Sequence, residues 1–167
     1  YVYNYNVELP FGTTTVPTID VVYAESGQSH TVVNPTSLPG TATVTVSAPD
    51  VAYTQQYTIN YTLAALTDNT LTDIQVNGKT ITGFSPTTNN YVVELPIGTT
   101  TDPVITWSTN YPSDQTIVLD NQGISGGATI SVTPNGTNLT RTYRLRFVIS
   151  ASTYSYLNDI SVDGTPI

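Results

Sequence analysis

Few residues in this chain are of a type that could do chemistry. It carries one histidine, His30, no cysteine and no methionine. A nucleophilic triad needs a base held between a nucleophile and an orienting carboxylate. No G-x-S-x-G turn, H-E-x-x-H helix or phosphate loop supplies that context, so His30 is expected to be an exposed histidine in a turn-rich connection. Hydrolysis of a glycosidic bond needs two carboxyl groups facing across a cleft. Glu8 and Glu94 hold equivalent places in separate halves of a repeat described below, as do Asp73 and Asp159. Glu94 is expected on the solvent face of a strand, opposite Val93 and Leu95, and Asp73 in shaping a local turn. Asp68 with Asp73, and Asp159 with Asp163, could offer oxygens to a calcium ion at a junction between units, but no D-x-D-x-D-G loop gathers them. No catalytic residue, cofactor or metal is therefore expected. The aromatic residues remain. Trp107, the lone tryptophan, and Tyr111 are the candidates for stacking on a sugar ring, although Trp107 shares a face with Ile105 and its repeat equivalent is Val21, which favours core packing. Lys79 stands beside a turn and is expected to be solvated.

The elements that must carry these residues are set by a repeat. Tyr5-Asn6-Val7-Glu8-Leu9-Pro10-Phe11-Gly12-Thr13-Thr14-Thr15 recurs as Tyr91-Val92-Val93-Glu94-Leu95-Pro96-Ile97-Gly98-Thr99-Thr100-Thr101, an offset of 86 (91 minus 5). Leu71-Thr72-Asp73-Ile74-Gln75-Val76-Asn77-Gly78 recurs as Leu157-Asn158-Asp159-Ile160-Ser161-Val162-Asp163-Gly164, again 86 apart (157 minus 71). No gap intervenes, so the chain holds tandem units of one design.

Within each unit the apolar residues alternate. Tyr1, Tyr3, Tyr5, Val7 and Leu9 fall on one face, then Ala42, Val44 and Val46, then Tyr57, Ile59, Tyr61 and Leu63. The second unit replaces them in register, with Ala128, Ile130 and Val132, then Tyr143, Leu145, Phe147 and Ile149. Period two is the signature of a strand with one buried face. Pro17 is expected to start a further short strand, Thr18 to Tyr23. Asn77-Gly78 is expected to turn a hairpin, and Tyr57 and Tyr143, opening the last strand of each unit, to bond back to a loop. No window carries a capped apolar stripe of period 3.6, so helix should be nearly absent. Roughly seven short strands per unit point to an all-β chain of two tandem antiparallel β-sandwich domains.

The combined pattern, L-x-D-I-x-V-N-G, then G-F-S-P, then Y-x-V-E-L-P-x-G-T and a following Pro, is carried whole by Leu71 to Pro103. It resembles the cadherin-like (Ig-like) β-sandwich repeats of large bacterial surface and secreted proteins. The tail of the pattern alone is present in Tyr5 to Pro17 and its head alone in Leu157 to Gly164. The resemblance implies spacers or stalks, or modules beside the catalytic domains of polysaccharide-degrading enzymes, and an extracellular, cell-surface or secreted location.

Charge narrows the partners. Four basic residues face twelve acidic ones, for a net charge of −8. Phosphate backbones demand a basic face, so nucleic acid is excluded. No run is long enough to insert into a membrane as a helix and no signal peptide opens the chain. The chain does not begin with Met and is expected to be a processed product or an excerpt.

The organisation follows from the register of the ends. Residues 1–66 form a first β-sandwich repeat that lacks its opening strand, 67–152 a second, and 153–167 the opening strand of a third repeat or a donor strand for a neighbouring molecule. Leu157, Ile160, Val162 and Ile167 are the candidate residues for strand complementation. A linker of seven or eight residues reaches only about 25 Å at about 3.3–3.6 Å per residue. That is less than the expected length of an intervening domain, so the recipients are adjacent repeats or neighbouring copies of the same protein. The function expected is that of a non-enzymatic structural repeat of a surface fibre, stalk or adhesin, able to assemble head-to-tail. The alternative is an accessory carbohydrate-binding or spacer module of a secreted polysaccharide-degrading enzyme, with polysaccharide as partner.

Overall fold

The computed structural model describes residues 2–50, 52–153, 155–158 and 160–166. The protein is all β, with a single four-residue helical turn, α1 (Gly123–Gly126), among the described residues. It divides into two compact units, Tyr1–Thr67 with Asn135–Thr137, and Asp68–Pro134 with Asn138–Ile167.

The first unit contains β1 (Asn4–Leu9), β2 (Ser29–Val33), β3 (Gly40–Ser47) and β4 (Thr54–Leu63), joined in one sheet in the order β1-β4-β3-β2. The second contains β5 (Asp73–Val76), β6 (Lys79–Thr80), β7 (Asn90–Leu95), β8 (Ile105–Ser108), β9 (Gln115–Asn121), β10 (Ala128–Pro134) and β11 (Arg141–Ile149). Its strands form two sheets, β7-β11-β10-β9 and β6-β5-β8. The core of this sandwich draws on both sheets. Ile74, Val76 and Ile105 come from one; Leu95, Ile130, Val132, Tyr143 and Leu145 come from the other. Alternation does the sorting: along β10, Ala128, Ile130, Val132 and Pro134 are buried while the residues between them are partly exposed. Each fully buried Ile, Leu or Val contributes about 1.5–3 kcal/mol over leaving it in water.

The expected antiparallel pairing holds for all neighbours but one in each large sheet. β1 runs parallel to β4, with Tyr5 opposite Ile59, and β7 runs parallel to β11, with Tyr91 opposite Leu145. A parallel pair cannot be closed by a hairpin, and here the intervening strands make the connection. The same spacing of 86 recurs in these registers. One pairing departs from it: Val32 lies opposite Val44, whereas Leu119, not Val118, lies opposite Ile130. A one-residue slip exchanges the two faces of a strand. Val32 accordingly turns partly inward, while its repeat equivalent Val118 is 58% exposed.

Three of the seven strands of the second unit form a cover that the first unit does not have. The expected strand at Thr18 to Tyr23 is absent: these residues are extended chain outside any sheet. Its equivalent, β8, is held by antiparallel pairing with β5, Ile74 opposite Trp107 and Val76 opposite Ile105. No strand pairs with Ile19–Val22, so alternation alone does not make it one.

The end of the chain folds as a separate hairpin, β12 (Ser161–Val162) and β13 (Thr165–Pro166), with Ser161 opposite Pro166 and Val162 opposite Thr165. This is the β5–β6 hairpin again, where Gln75 lies opposite Thr80 and Val76 opposite Lys79. Both turns place two residues at positive φ, Asn77 at 51° with Gly78 at 77°, and Asp163 at 50° with Gly164 at 80°. That combination is the mirror-image turn that suits strand twist and selects Asn, Asp and Gly.

Candidate functional site

The candidate site is the uncovered face of the first unit, a groove of about 410 Å³ lined by Tyr5, Ile19, Val21, Tyr23, Val44, Val46, Tyr57 and Ile59, with Asp20 and Gln28 at its polar margin. β1, β3 and β4 position the floor, because their inward residues alternate toward it. The extended chain at Ile19–Tyr23 forms one wall. The second unit shows what this face is when closed. Tyr91 is 7% exposed where its equivalent Tyr5 is 45% exposed. Tyr143 and Leu145 are buried where Tyr57 and Ile59 are only half-buried. The two faces have matching chemistry, and only one has a second sheet over it.

The tyrosines show the same contrast in hydrogen bonding. Tyr143 Oη accepts from the Leu71 N–H at 3.0 Å and donates to the Pro86 carbonyl at 2.7 Å. Tyr91 Oη donates to the Ser85 carbonyl at 2.7 Å and accepts from the Ser85 N–H at 3.1 Å. The expected bond-back of the last-strand tyrosine is thus realised at Tyr143. Burial pushes the Tyr143 hydroxyl above the ordinary tyrosine range, against the opposing pull of the Leu71 N–H and the Arg141 charge. At Tyr57 it is not realised: among the described residues its hydroxyl has no hydrogen-bond partner, and its ring lies tilted against Tyr3 at 5.6 Å.

The terminal hairpin leaves the repeat equivalents of buried side chains exposed. Leu157 is 75%, Ile160 52% and Val162 57% exposed, whereas their equivalents Leu71, Ile74 and Val76 are buried. Ile167 lies outside the described residues, as does Asp159.

The remaining candidates are dispersed. Trp107 sits on β8, half-buried and packed against the core of the second unit, and it lines a shallow depression with Thr109, Pro112 and Gln115. Tyr111 is half-buried in the following loop, its N–H donating to Thr109 Oγ1 at 3.1 Å. His30 is on β2 and not in a loop, because the polar stretch around Val32-Val33 pairs with β3. The histidine is exposed, with its Nδ1 2.6 Å from the Tyr23 hydroxyl. Glu94 is exposed and accepts from Ser150 Oγ at 2.8 Å. Asp73 does stitch its hairpin, Oδ2 accepting from Gln75 Nε2 at 2.8 Å and from Thr80 Oγ1 at 3.0 Å. Asp68 Oδ1 is spent on the Thr70 N–H and hydroxyl. Among the described residues no three His, Cys, Asp or Glu side chains are grouped to hold a metal ion. No helix among them is long and apolar enough to cross a membrane.

No protein-family model matches the chain. It is similar to a gellan lyase from a Bacillus species, 38% identical over 96 residues, which is 56% of this chain and 4% of that enzyme. It is also similar to an exo-beta-1,6-galactobiohydrolase from Bifidobacterium longum subsp. longum, 27% identical over 135 residues, 78% of this chain and 9% of that enzyme. The chain thus spans a small fraction of the length of the curated relatives that it matches.

Proposed function

We propose that this chain is a non-catalytic accessory segment of a secreted enzyme that acts on polysaccharide, a β-sandwich spacer that holds a catalytic region at a distance and lies along its glycan. One observation carries the reading. The segment is shared by proteins named a lyase and a hydrolase, and it makes up 4% of one and 9% of the other. Eliminating and hydrolysing a glycosidic bond call for different catalytic groups, so what the two have in common serves something other than the bond-breaking step. Gly-, Thr- and Asn-rich strands with short turns and few charged tips suit an extracellular spacer. The similarity to two polysaccharide-degrading enzymes supports the accessory-module expectation over that of a surface fibre, stalk or adhesin.

Incubating the purified chain with gellan and with a β-1,6-linked galactan tests it. The expected result is no release of unsaturated or reducing ends from either glycan, with retention of the chain in an affinity gel containing one of them. Release of product would overturn the non-catalytic reading, and unretarded migration in both gels would reduce the segment to a spacer without glycan contact.

A further inference from the structure

We propose that the outer face of the four-stranded sheet in the second unit holds an acidic polysaccharide, with Arg144 and Arg146 as the ligands of its carboxylates. The inference rests on the accessory-module reading for the kind of polymer, and on this face for the charge that the polymer carries.

The chain has four basic residues against twelve acidic ones, and two of the four stand on β11 with one residue between them. Residues so spaced on a strand share a face, about 7 Å apart. Tyr143, Leu145 and Phe147 are buried in the core, so Arg144 and Arg146 point away from it and are exposed. Arg141, where the strand begins, is spent within the fold: its guanidinium donates to Asn69 Oδ1 at 3.2 Å and to Asn89 Oδ1 at 2.7 Å. Among the described residues the guanidinium groups of Arg144 and Arg146 have no such partner. The acids of this face are engaged elsewhere. Glu94 accepts from Ser150 Oγ at 2.8 Å, and Asp120 accepts from Gln122 Nε2 at 3.1 Å.

The fold does not ask for arginine at these positions. Their repeat equivalents, 86 residues earlier, are Thr58 and Asn60, and these pair with β1 as Arg144 and Arg146 pair with β7. Asn60 is bonded across the sheet, donating to Asn6 Oδ1 and accepting from Thr41 Oγ1, both at 3.1 Å. Arg144 lines two shallow depressions, one of about 270 Å³ shared with Asn90, Val92 and Arg146, the other of about 190 Å³ shared with Gly127, Thr129 and Asp120. Asn90, Arg144, Thr129 and Asp120 lie opposite one another in a row across the strands, so amide and hydroxyl groups flank the cation where sugar hydroxyls would lie. A guanidinium fork matches a carboxylate with two parallel hydrogen bonds. The net charge of −8 repels a densely charged polyanion, so the face suits a glycan whose carboxylates are separated by neutral sugars.

The test is affinity electrophoresis of residues 1–167, each mobility being referred to a gel without glycan. The gels hold gellan, which bears carboxylates between neutral sugars, the same gellan with its carboxyl groups methyl-esterified, or a β-1,6-linked galactan. The expected result is retardation by gellan alone, fading as salt is added because exposed charges are screened. R144Q/R146Q, confined to exposed side chains, should weaken retention by about tenfold. K79Q, which removes a charge from another part of the unit, should leave it unchanged. Equal retention by gellan and its ester, or retention unaltered in R144Q/R146Q, would overturn this inference while leaving the accessory-module reading in place. Free migration in gellan would overturn it too. Release of product would instead strike the non-catalytic reading.

Discussion

Replacing Tyr143 by Phe isolates one hydroxyl on which the corner of the second sandwich depends. The ring is fully buried and keeps its packing in the variant. Two bonds vanish, from the Leu71 N–H at 3.0 Å and to the Pro86 carbonyl at 2.7 Å. Pro86 is exposed and its carbonyl can turn to water, but Leu71 is fully buried and its N–H cannot. Leaving a buried donor unpaired costs about 1–3 kcal/mol, so the net loss should be about 2 kcal/mol. A unit of roughly 85 residues has about 4–13 kcal/mol in all, so the loss is large. Trp107 is the only tryptophan and lies in this unit, so its fluorescence reports the unit's urea unfolding alone. With a slope near 1 kcal/mol per molar urea, the midpoint should fall by about 2 M. Tyr57→Phe, the same change in the uncovered unit, should leave that midpoint where it was. There is also a pH signature. Because folding raises the Tyr143 hydroxyl above its ordinary value of 10.0, the contribution is complete below pH 10. It is lost as pH climbs from 10 through the raised value, where the unfolded chain ionises first. Y143F should lack that component of the alkaline loss. A midpoint shift under about 0.5 M, or an unchanged alkaline slope, would refute the argument that the hydroxyl satisfies a buried amide.

Other substitutions probe other links. Gly127 has φ 77°, and a Cβ there would stand 2.5 Å from the Leu145 carbonyl oxygen, so Gly127→Ala should cost about 2–4 kcal/mol in the same urea assay, since backbone cannot yield. Asn77→Ala removes a side chain that accepts from the Val104 N–H at 2.9 Å at a positive-φ position, and should lower stability by about 1–2 kcal/mol. Ile130→Ala in the closed core should cost about 3–4 kcal/mol by fluorescence-monitored unfolding. Val44→Ala, at the equivalent place on the uncovered sheet, should cost about 1–2 kcal/mol by circular dichroism, because its cavity opens onto the groove.

Much of the fold was legible because alternation and the repeat agree. The strand at Tyr5 to Leu9 and its copy at Tyr91 to Leu95 have the same bounds and the same partners once 86 is added. The Asn77-Gly78 turn and the stitching by Asp73 followed from residue types whose geometry is local, and the corner at Tyr143 followed from a tyrosine that opens the last strand, although its partners Leu71 and Pro86 are distant in the chain. What escaped was set by partners far along the chain. Ile19-Asp20-Val21-Val22 has a strand composition, yet a strand exists only where its N–H and C=O groups meet another. The parallel pairing of β1 with β4 has no local signature, since it depends on the path of the intervening chain. His30 was expected in a loop because Gly, Gln and Ser surround it, and the pairing of Thr31 with Thr45 overrides them. The candidate groove was not legible in the sequence, because no local pattern marks which face of a sheet stays open. That it presents Tyr5, Tyr57 and Ile59 to solvent is a property of the folded sheet.

The two units together act as an internal comparison of what one hairpin does. The four-stranded sheets carry equivalent residues in nearly the same register, so differences in burial belong to the cover. Ala42 and Val44, at the centre of the uncovered sheet, are buried without it, which is enough to hold β1 to β4 together. The margin of the face is not closed: Tyr5 remains 45% exposed and Leu9 half-buried, while their equivalents Tyr91 and Leu95 in the covered unit are at 7% and 2%. Apolar area at a sheet face is the main source of its stability, so the uncovered unit should unfold first. Urea unfolding followed by circular dichroism should then show two steps, with only the later one coinciding with Trp107 fluorescence. If the two steps coincided, or the fluorescence change came first, burial under the second sheet would not be what separates the two units.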